Sequence, residues 1–258
     1  MIDELLDGLK EPFTLGEAYE RALSSGYSGR LEAFRMRFLR QVKAGWLLRV
    51  ARDRYVSGNS GLVRYSWGYS DEARNIVSEM RAKTNDLRMS VFEIRQLNEF
   101  VNHLYGQNVI FVSVADHAAD FVFSDLQEAH VGKILLRPSA DEFYRYQMDG
   151  TVVLLDLPTE APGCSHSRWQ CGIEKWLVDL FSEPLLKNMV SPSELPNVLN
   201  GGFEKYAVNE SALFRYAKRR GVDSDIRAFI EGKTTVKLRT MSSANGTMRR
   251  LPPSGRSR

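Results

Sequence analysis

Apolar positions along this chain change period more than once, and each change marks a new element. Near the N-terminus they follow helical spacing, with Ile2, Leu5, Leu6 and Leu9 forming one short stripe over residues 2–9. Thr14 and Glu17 make a T-x-x-E capping box that opens a second helix to about residue 23. Ser24, Ser25 and Gly26 supply a turn, and Ser28 stands where it could cap a third helix over residues 29–44, closed by Gly45. In that helix Leu31, Phe34, Phe38 and Val42 recur at intervals of three and four, so they share a face, while Arg30, Arg37, Arg40, Gln41 and Lys43 take the opposite arc. Residues 47–51 and 54–56 then read as two short strands about an Arg52-Asp53 turn.

Three helices followed by a hairpin predict a winged helix-turn-helix, with the third helix as the reading helix and the hairpin as the wing. Downstream the period alternates. A helix is expected over 70–83 and strands over 89–94, 109–114, 133–136 and 152–155, with helical patterns at Leu97, Phe100, Val101 and Leu104, over 116–128, and after the Ser139/Glu142 cap. Strands alternating with helices predict an α/β (α+β) sheet domain. Beyond a Pro-, Gly- and Cys-containing loop over 158–172 the chain turns helical again: at 173–181, from Pro192 (capped by Ser191, with Glu194 at the box position), and over 210–220, capped by Asn209 and stopped by Gly221. The expected division is a DNA-binding head over 1–58, a linker over 59–70, an α/β body over 71–231 and a basic, flexible tail over 232–258.

Charge sharpens this picture. The chain has 258 residues and is 43% hydrophobic, enough for one large core or two smaller ones. Its net charge of +3 is segregated: +2 over residues 1–54, −8 over 55–214 and +9 over 215–258. Residues 28–56 alone carry +6. Nucleic-acid contact should therefore be confined to the ends, and the candidates in the head are Arg30, Arg35, Arg37, Arg40, Gln41 and Lys43 on the reading helix and Arg49, Arg52 and Arg54 on the wing. No run approaches the roughly 20 apolar residues of a membrane span, and the N-terminus lacks a signal-peptide pattern. The expectation is a cytoplasmic protein with reduced thiols and no membrane partner.

Catalytic chemistry finds little support. Asp156 and Glu160 follow a predicted strand, where restriction-type nucleases keep metal-binding carboxylates, but no E-x-K follows them on a strand. Glu231-Gly232-Lys233 has the letters in a tail context, and Glu93-Ile94-Arg95 has Arg for Lys. Cys164, His166 and Cys171 lie within eight residues but lack the fourth ligand of a structural zinc site. His103 and His117 read as surface or capping residues, and Phe143, Tyr144 and Tyr146 as sheet packing rather than a base-stacking platform. There is neither a P-loop nor a G-x-G-x-x-G. The expectation is no enzyme, no metal and no cofactor; a winged-helix-targeted nuclease and a protein-docking component of a defence complex are the alternatives.

The succession of basic head, α/β body, TEAP at 159–162, IEKWLVDLF at 173–181 and YAVNESALFRYAKRRG at 206–221 resembles the AbiEi-like antitoxins of AbiE-type (type IV) toxin–antitoxin and abortive-infection systems. The resemblance covers most of residues 1–230. It implies a repressor of its own operon that binds double-stranded promoter DNA, as a monomer or as a homodimer on an inverted repeat. It also implies antagonism of a nucleotidyltransferase-class toxin, usually without a stable complex. Of the family's Gly-x-Tyr wing turn only Tyr55 matches, Asp53 and Arg54 departing from it. Arg219 and Arg220, with Lys218 beside them, match the family's basic ending, which implies further nucleic-acid or partner contacts there.

Overall fold

The computed structural model describes residues 6, 8–58, 60–84, 86–115, 117–165 and 168–239. Most of the helix expected over 2–9 lies outside these residues, as do His166, Asp116 and residues 240–258. The chain is an α/β protein with both helices and a mixed sheet.

The N-terminal segment forms helix α1 (Leu15–Ser24), helix α2 (Leu31–Ala44) and an antiparallel hairpin of β1 (Leu47–Ala51) and β2 (Arg54–Ser57). The capping box is complete: the Thr14 side chain accepts from the Glu17 amide at 3.0 Å, and Glu17 accepts from the Thr14 amide at 2.7 Å. Gly45 ends α2 with φ of 88°, a left-handed conformation that glycine adopts without a Cβ penalty. The start of α2 differs from expectation. Ser28 does not cap it; Arg30 occupies the N-cap, with no side-chain hydrogen bond. The reason is Tyr27, whose ring packs on Tyr19 and Phe34 while Tyr19 donates to the Gly29 carbonyl at 3.1 Å, so residues 27–30 are held outside the helix. Leu31 also departs from its predicted role, since it is exposed and the α2 core contribution comes from Phe34 and Phe38.

Residues 60–70 run between the hairpin and the rest of the chain without forming a strand, yet Leu62, Tyr65 and Tyr69 on this segment are buried. The body begins with α3 (Asp71–Lys83), capped by Ser70. Its sheet has order β3-β4-β6-β5, from β3 (Met89–Glu93), β4 (Val109–Val114), β5 (Ile134–Leu136) and β6 (Thr151–Asp156). Strand β3 is antiparallel to β4, and β4, β6 and β5 run parallel. Both faces are covered, so every residue of β4 is buried, the apolar run expected of an interior strand.

Side chains alternate between two cores. Met89, Val91, Ile110, Val112, Val114, Val152 and Leu154 meet α3 and α4 (Ala119–Gln127). Phe92, Val109, Phe111, Leu135 and Val153 meet the opposite layer. That layer holds α5 (Ala140–Tyr146), α6 (Ile173–Ser182), α7 (Pro184–Met189), α8 (Leu195–Lys205), α9 (Glu210–Arg219) and α10 (Asp223–Lys233), with Trp176 fully buried at its centre. Leu97 lies in a 3-10 helix over Ile94–Glu99 rather than on an α-helical face, and Leu104 is 69% exposed. Helix α8 starts at Leu195, three residues later than the Pro192 start expected, because the Glu194 side chain is drawn to the Asn102 amide (3.0 Å) and His103 (2.9 Å) instead of back to a cap. Residues 232–239, expected as flexible tail, finish α10 and then pack: Leu238 is buried, Thr235 donates to Asn200, and the Arg239 amide donates to Glu210.

Candidate nucleic-acid interface

Helix α2 presents its charges because its apolar seam is narrow. At about 100° per residue, Arg40 and Lys43 stand roughly 140–160° round from Phe38, which is fully buried against Phe13 and Tyr55. Arg30, Arg35, Arg37, Arg40 and Lys43 are exposed, and among the described residues none of them has an ion pair. Arg37 leans over the Tyr27 ring at 5.7 Å, which fixes its stem while leaving the guanidinium edge free. Gln41 is half-buried at the edge of the seam. The far end of α2 is held by Arg64, which donates to the Val42 carbonyl at 3.0 Å; a cation at a helix C-terminus also complements the helix dipole. Sequence reading missed Arg64, since nothing local ties it to a helix ending 20 residues earlier.

Two of the hairpin's three arginine side chains, Arg49 and Arg54, are engaged. Arg54 pairs with Glu17 at 3.6 Å, and the Asp53 side chain accepts from the Leu15 amide at 3.3 Å, tying the turn to α1. The Arg52 amide donates to Ser211 on α9 at 2.8 Å. Arg49 donates to the Ala51 carbonyl and lines a cleft of about 210 Å³ with Arg64, Arg168 and Glu174, where the hairpin meets the body. In that cleft Glu174 accepts from the Asn209 amide at 2.9 Å, and burial pushes its carboxyl above the ordinary range.

The C-terminal candidates sit on α9, apart from α2. Lys218 is exposed. Arg219 donates to the Thr159 hydroxyl at 2.8 Å. Arg220 is held by Ser182, at 2.9 Å to its hydroxyl and 3.1 Å to its carbonyl, and pairs with Glu183 at 3.5 Å.

The outward side of α2 also carries apolar groups that charge counting overlooked. Met36 and Leu39 are 57% and 43% exposed, and Trp46, just past the C-cap, is 59% exposed. Their spacing opposite Phe34 and Phe38 was the available signal. Elsewhere, the Asp156 carboxylate is clasped by Arg137, at 2.5 and 2.9 Å, and the same guanidinium reaches both oxygens of Asp120. Arg137 holds both carboxyls below the usual range. Glu160 is exposed, and among the described residues no three His, Cys, Asp or Glu side chains converge as metal ligands. Phe143 is buried, whereas Tyr144 and Tyr146 are about half exposed. No described helix is long and apolar enough to cross a membrane.

Residues 33–236 match the profile of DUF6577, a family of unknown function. The chain belongs to the DUF6577 family. The match starts within α2 and ends past α10, so in this DUF6577 member it takes in the exposed arc from Arg35 onward, the hairpin and the whole sheet. Comparison with the curated proteins gives no match. Among solved structures, the crystal structure of RV2827C protein from Mycobacterium tuberculosis aligns over 92% of this chain and 81% of that one, at 14% identity and a TM-score of 0.21. Overlap that loose carries no argument about the DUF6577 fold.

Proposed function

We propose that this protein is a DNA-binding antitoxin that represses its own operon from the cytoplasm and counteracts a nucleotidyltransferase-class toxin without chemistry of its own. One observation carries the DNA half: the unpaired basic arc of α2 (Arg30, Arg35, Arg37, Arg40, Lys43), followed by a hairpin in the winged-helix order. A 14-residue helix is about 21 Å long and of a diameter the major groove admits. The antitoxin half rests on the resemblance to AbiEi-like proteins. An inverted-repeat operator would be met by two copies.

The test is a mobility shift on the promoter of the protein's own operon. Arg40→Ala with Lys43→Ala removes two side chains far from the core, so folding should be untouched. Losing two phosphate contacts should cut affinity and lower the log–log salt slope by about 2; unchanged affinity and slope would overturn the assignment to α2. Co-expression with the nucleotidyltransferase-like protein of the same operon tests the antitoxin half, and failure to restore growth would remove it.

The exposed Met36, Leu39 and Trp46 favour a second reading, in which α2 docks a protein. Met36→Ser with Leu39→Ser separates the two, since it should leave the salt slope of DNA binding intact and abolish a protein contact.

A further inference from the structure

The body holds a cavity that the proposed function does not use. It lies at the carboxyl ends of β4 and β6, measures about 600 Å³, and is lined by Arg88, His117, Asp156, Thr159, Arg219 and Arg220 among others. Its position is meaningful in an open parallel sheet, where ligands bind in the crevice beyond the strand ends at the point where successive connections leave toward opposite faces. That condition is met here. The chain leaving β4 enters α4, which packs on the α3 face, whereas the chain leaving β6 runs through residues 157–172 to α6 on the other face. The volume falls within the roughly 300–1,000 Å³ of small-molecule sites.

Charge accounting identifies the ligand's chemistry. The wall carries three arginines, Arg88, Arg219 and Arg220, against one acid, Asp156, and that acid is hydrogen-bonded twice by Arg137, which also holds Asp120. Arg220 is balanced by Glu183. That leaves the Arg219 guanidinium, whose one described partner is the neutral Thr159 hydroxyl, and the half-buried Arg88, whose carbonyl accepts from the Ala115 amide but whose guanidinium has no hydrogen bond or ion pair among the described residues. Two guanidinium groups without an ion pair among the described residues, together with His117, thus face one cavity, with Thr159 and backbone as further polar partners. Planar guanidinium forks suit phosphate oxygens, which two of them can grip bidentately. His117 has φ of 57°, in the left-handed region that is uncommon for a non-glycine residue.

We propose that this cavity binds the phosphate group of a small phosphomonoester, of the size of a nucleoside 5′-monophosphate, through Arg88 and Arg219, with His117 and Thr159 beside them. This takes Arg219 out of the DNA interface and gives the body a ligand site separate from α2.

Calorimetric titration of the full chain tests it with three probes: AMP, inorganic phosphate and adenosine. AMP should bind once per chain, adenosine should not bind, and inorganic phosphate should bind more weakly at the same place and compete with AMP. If phosphate binds as well as AMP, the ligand is the free ion and the phosphomonoester assignment falls. Arg88→Ala with Arg219→Ala should weaken AMP binding by at least about tenfold, a loss expected for charge-assisted forks, while the promoter shift stays unchanged. Arg219→Lys, which retains charge but not the fork, guards against misfolding of the double variant and should weaken AMP measurably. No heat from AMP at millimolar concentration, equal binding of adenosine, or undiminished binding by both variants would each overturn the proposal.

Discussion

Inside α6 the chain buries a charge pair whose cost can be worked from its geometry. Lys175 donates to Asp179 at 2.6 Å, one turn apart, and both side chains are less than a tenth exposed. Tyr216, fully buried on α9, donates to the other Asp179 oxygen at 2.9 Å. Burial by itself lowers the lysine's pKa; Asp179, with Cys171 and Tyr216 nearby, more than reverses this and leaves it above its ordinary value. A raised lysine contributes stability that is complete below its ordinary pKa of 10.5 and is lost only as pH climbs past that toward the folded value, so neutral-pH scans will not expose it. Mutation will. At an effective dielectric near 20 the attraction is worth about 6 kcal/mol, which roughly matches a desolvation penalty of several kcal/mol per ion. The pair as a unit is therefore close to neutral, while either partner alone is a liability. Asp179→Leu or Lys175→Met should each cost about 3–5 kcal/mol, or roughly 6–20 °C in Tm for a chain of this size. Lys175→Met combined with Asp179→Leu should cost less than either single change. Tyr216→Phe should cost about 1 kcal/mol in the parent and close to nothing once Asp179 is gone. Urea denaturation followed by tryptophan fluorescence gives all five values. Additive costs in the double variant would show that the two charges are not coupled and would refute this reasoning.

Three further outcomes follow from other buried groups. Glu93 sits in the core and accepts from Trp67 (3.1 Å), the Ser70 amide (3.1 Å) and hydroxyl (2.5 Å), and Asn108 (2.7 Å); Glu93→Ala orphans these donors and should destabilise the chain by more than about 3 kcal/mol in the same assay. Glu174 has a raised pKa, so the folded chain holds that proton more tightly than the unfolded one; the resulting destabilisation is absent well below pH 4.5, grows as pH rises from there toward the folded value and is complete above it. Glu174→Gln should therefore improve in stability relative to the parent between pH 4 and pH 7, and a constant difference would contradict the assignment. Burial pushes the Cys171 thiol up to about 12 and raises Cys164, so an aromatic disulfide reagent at pH 8 should label neither rapidly until urea unfolds the chain.

Local signals carried much of the fold. The Thr14/Glu17 box, the Ser139 and Asn209 caps, the Gly45 terminator and the apolar run at Val109–Val114 all act within a few residues, and each stands in the structure close to where its pattern puts it. Errors arose where a distant partner overrode the local preference. Tyr19 and Tyr27 delayed the start of α2, and His103 and Asn102 took Glu194 from its capping role. Two helices were not anticipated. Helix α7 is only six residues long and announces itself by little beyond Pro184 at its first turn. Helix α10 was legible from Ile226, Phe229 and Ile230, but the basic run beyond it disguised their spacing. The candidate site divides in the same way. The arc of α2 could be read from periodicity, because one helix carries all of it. The strand-end cavity could not, because Arg88, His117, Thr159 and Arg219 are far apart in sequence and only the sheet brings them together.

The way the head joins the body bears on how its charge can be used. Strand β1 is buried on both sides: Leu47 packs with Phe34, Phe38 and Tyr55 of the head, whereas Leu48 and Val50 pack with Leu62 and Ala207. The turn is fastened to α9 through Arg52 and Ser211, and Val63 exchanges backbone hydrogen bonds with residues 205 and 207. The hairpin is thus a shared layer, with α2 on one side and body on the other, and not a wing standing free in solvent. This layering resolves an electrostatic difficulty in the sequence. Residues 55–214 carry −8, which would repel a phosphate backbone if the body could swing against it. Fastening the hairpin to the body prevents such a swing. Arg49 and Arg54 are also engaged within the head, so on the proposed function DNA affinity should depend on α2 more than the charge count of residues 28–56 implies.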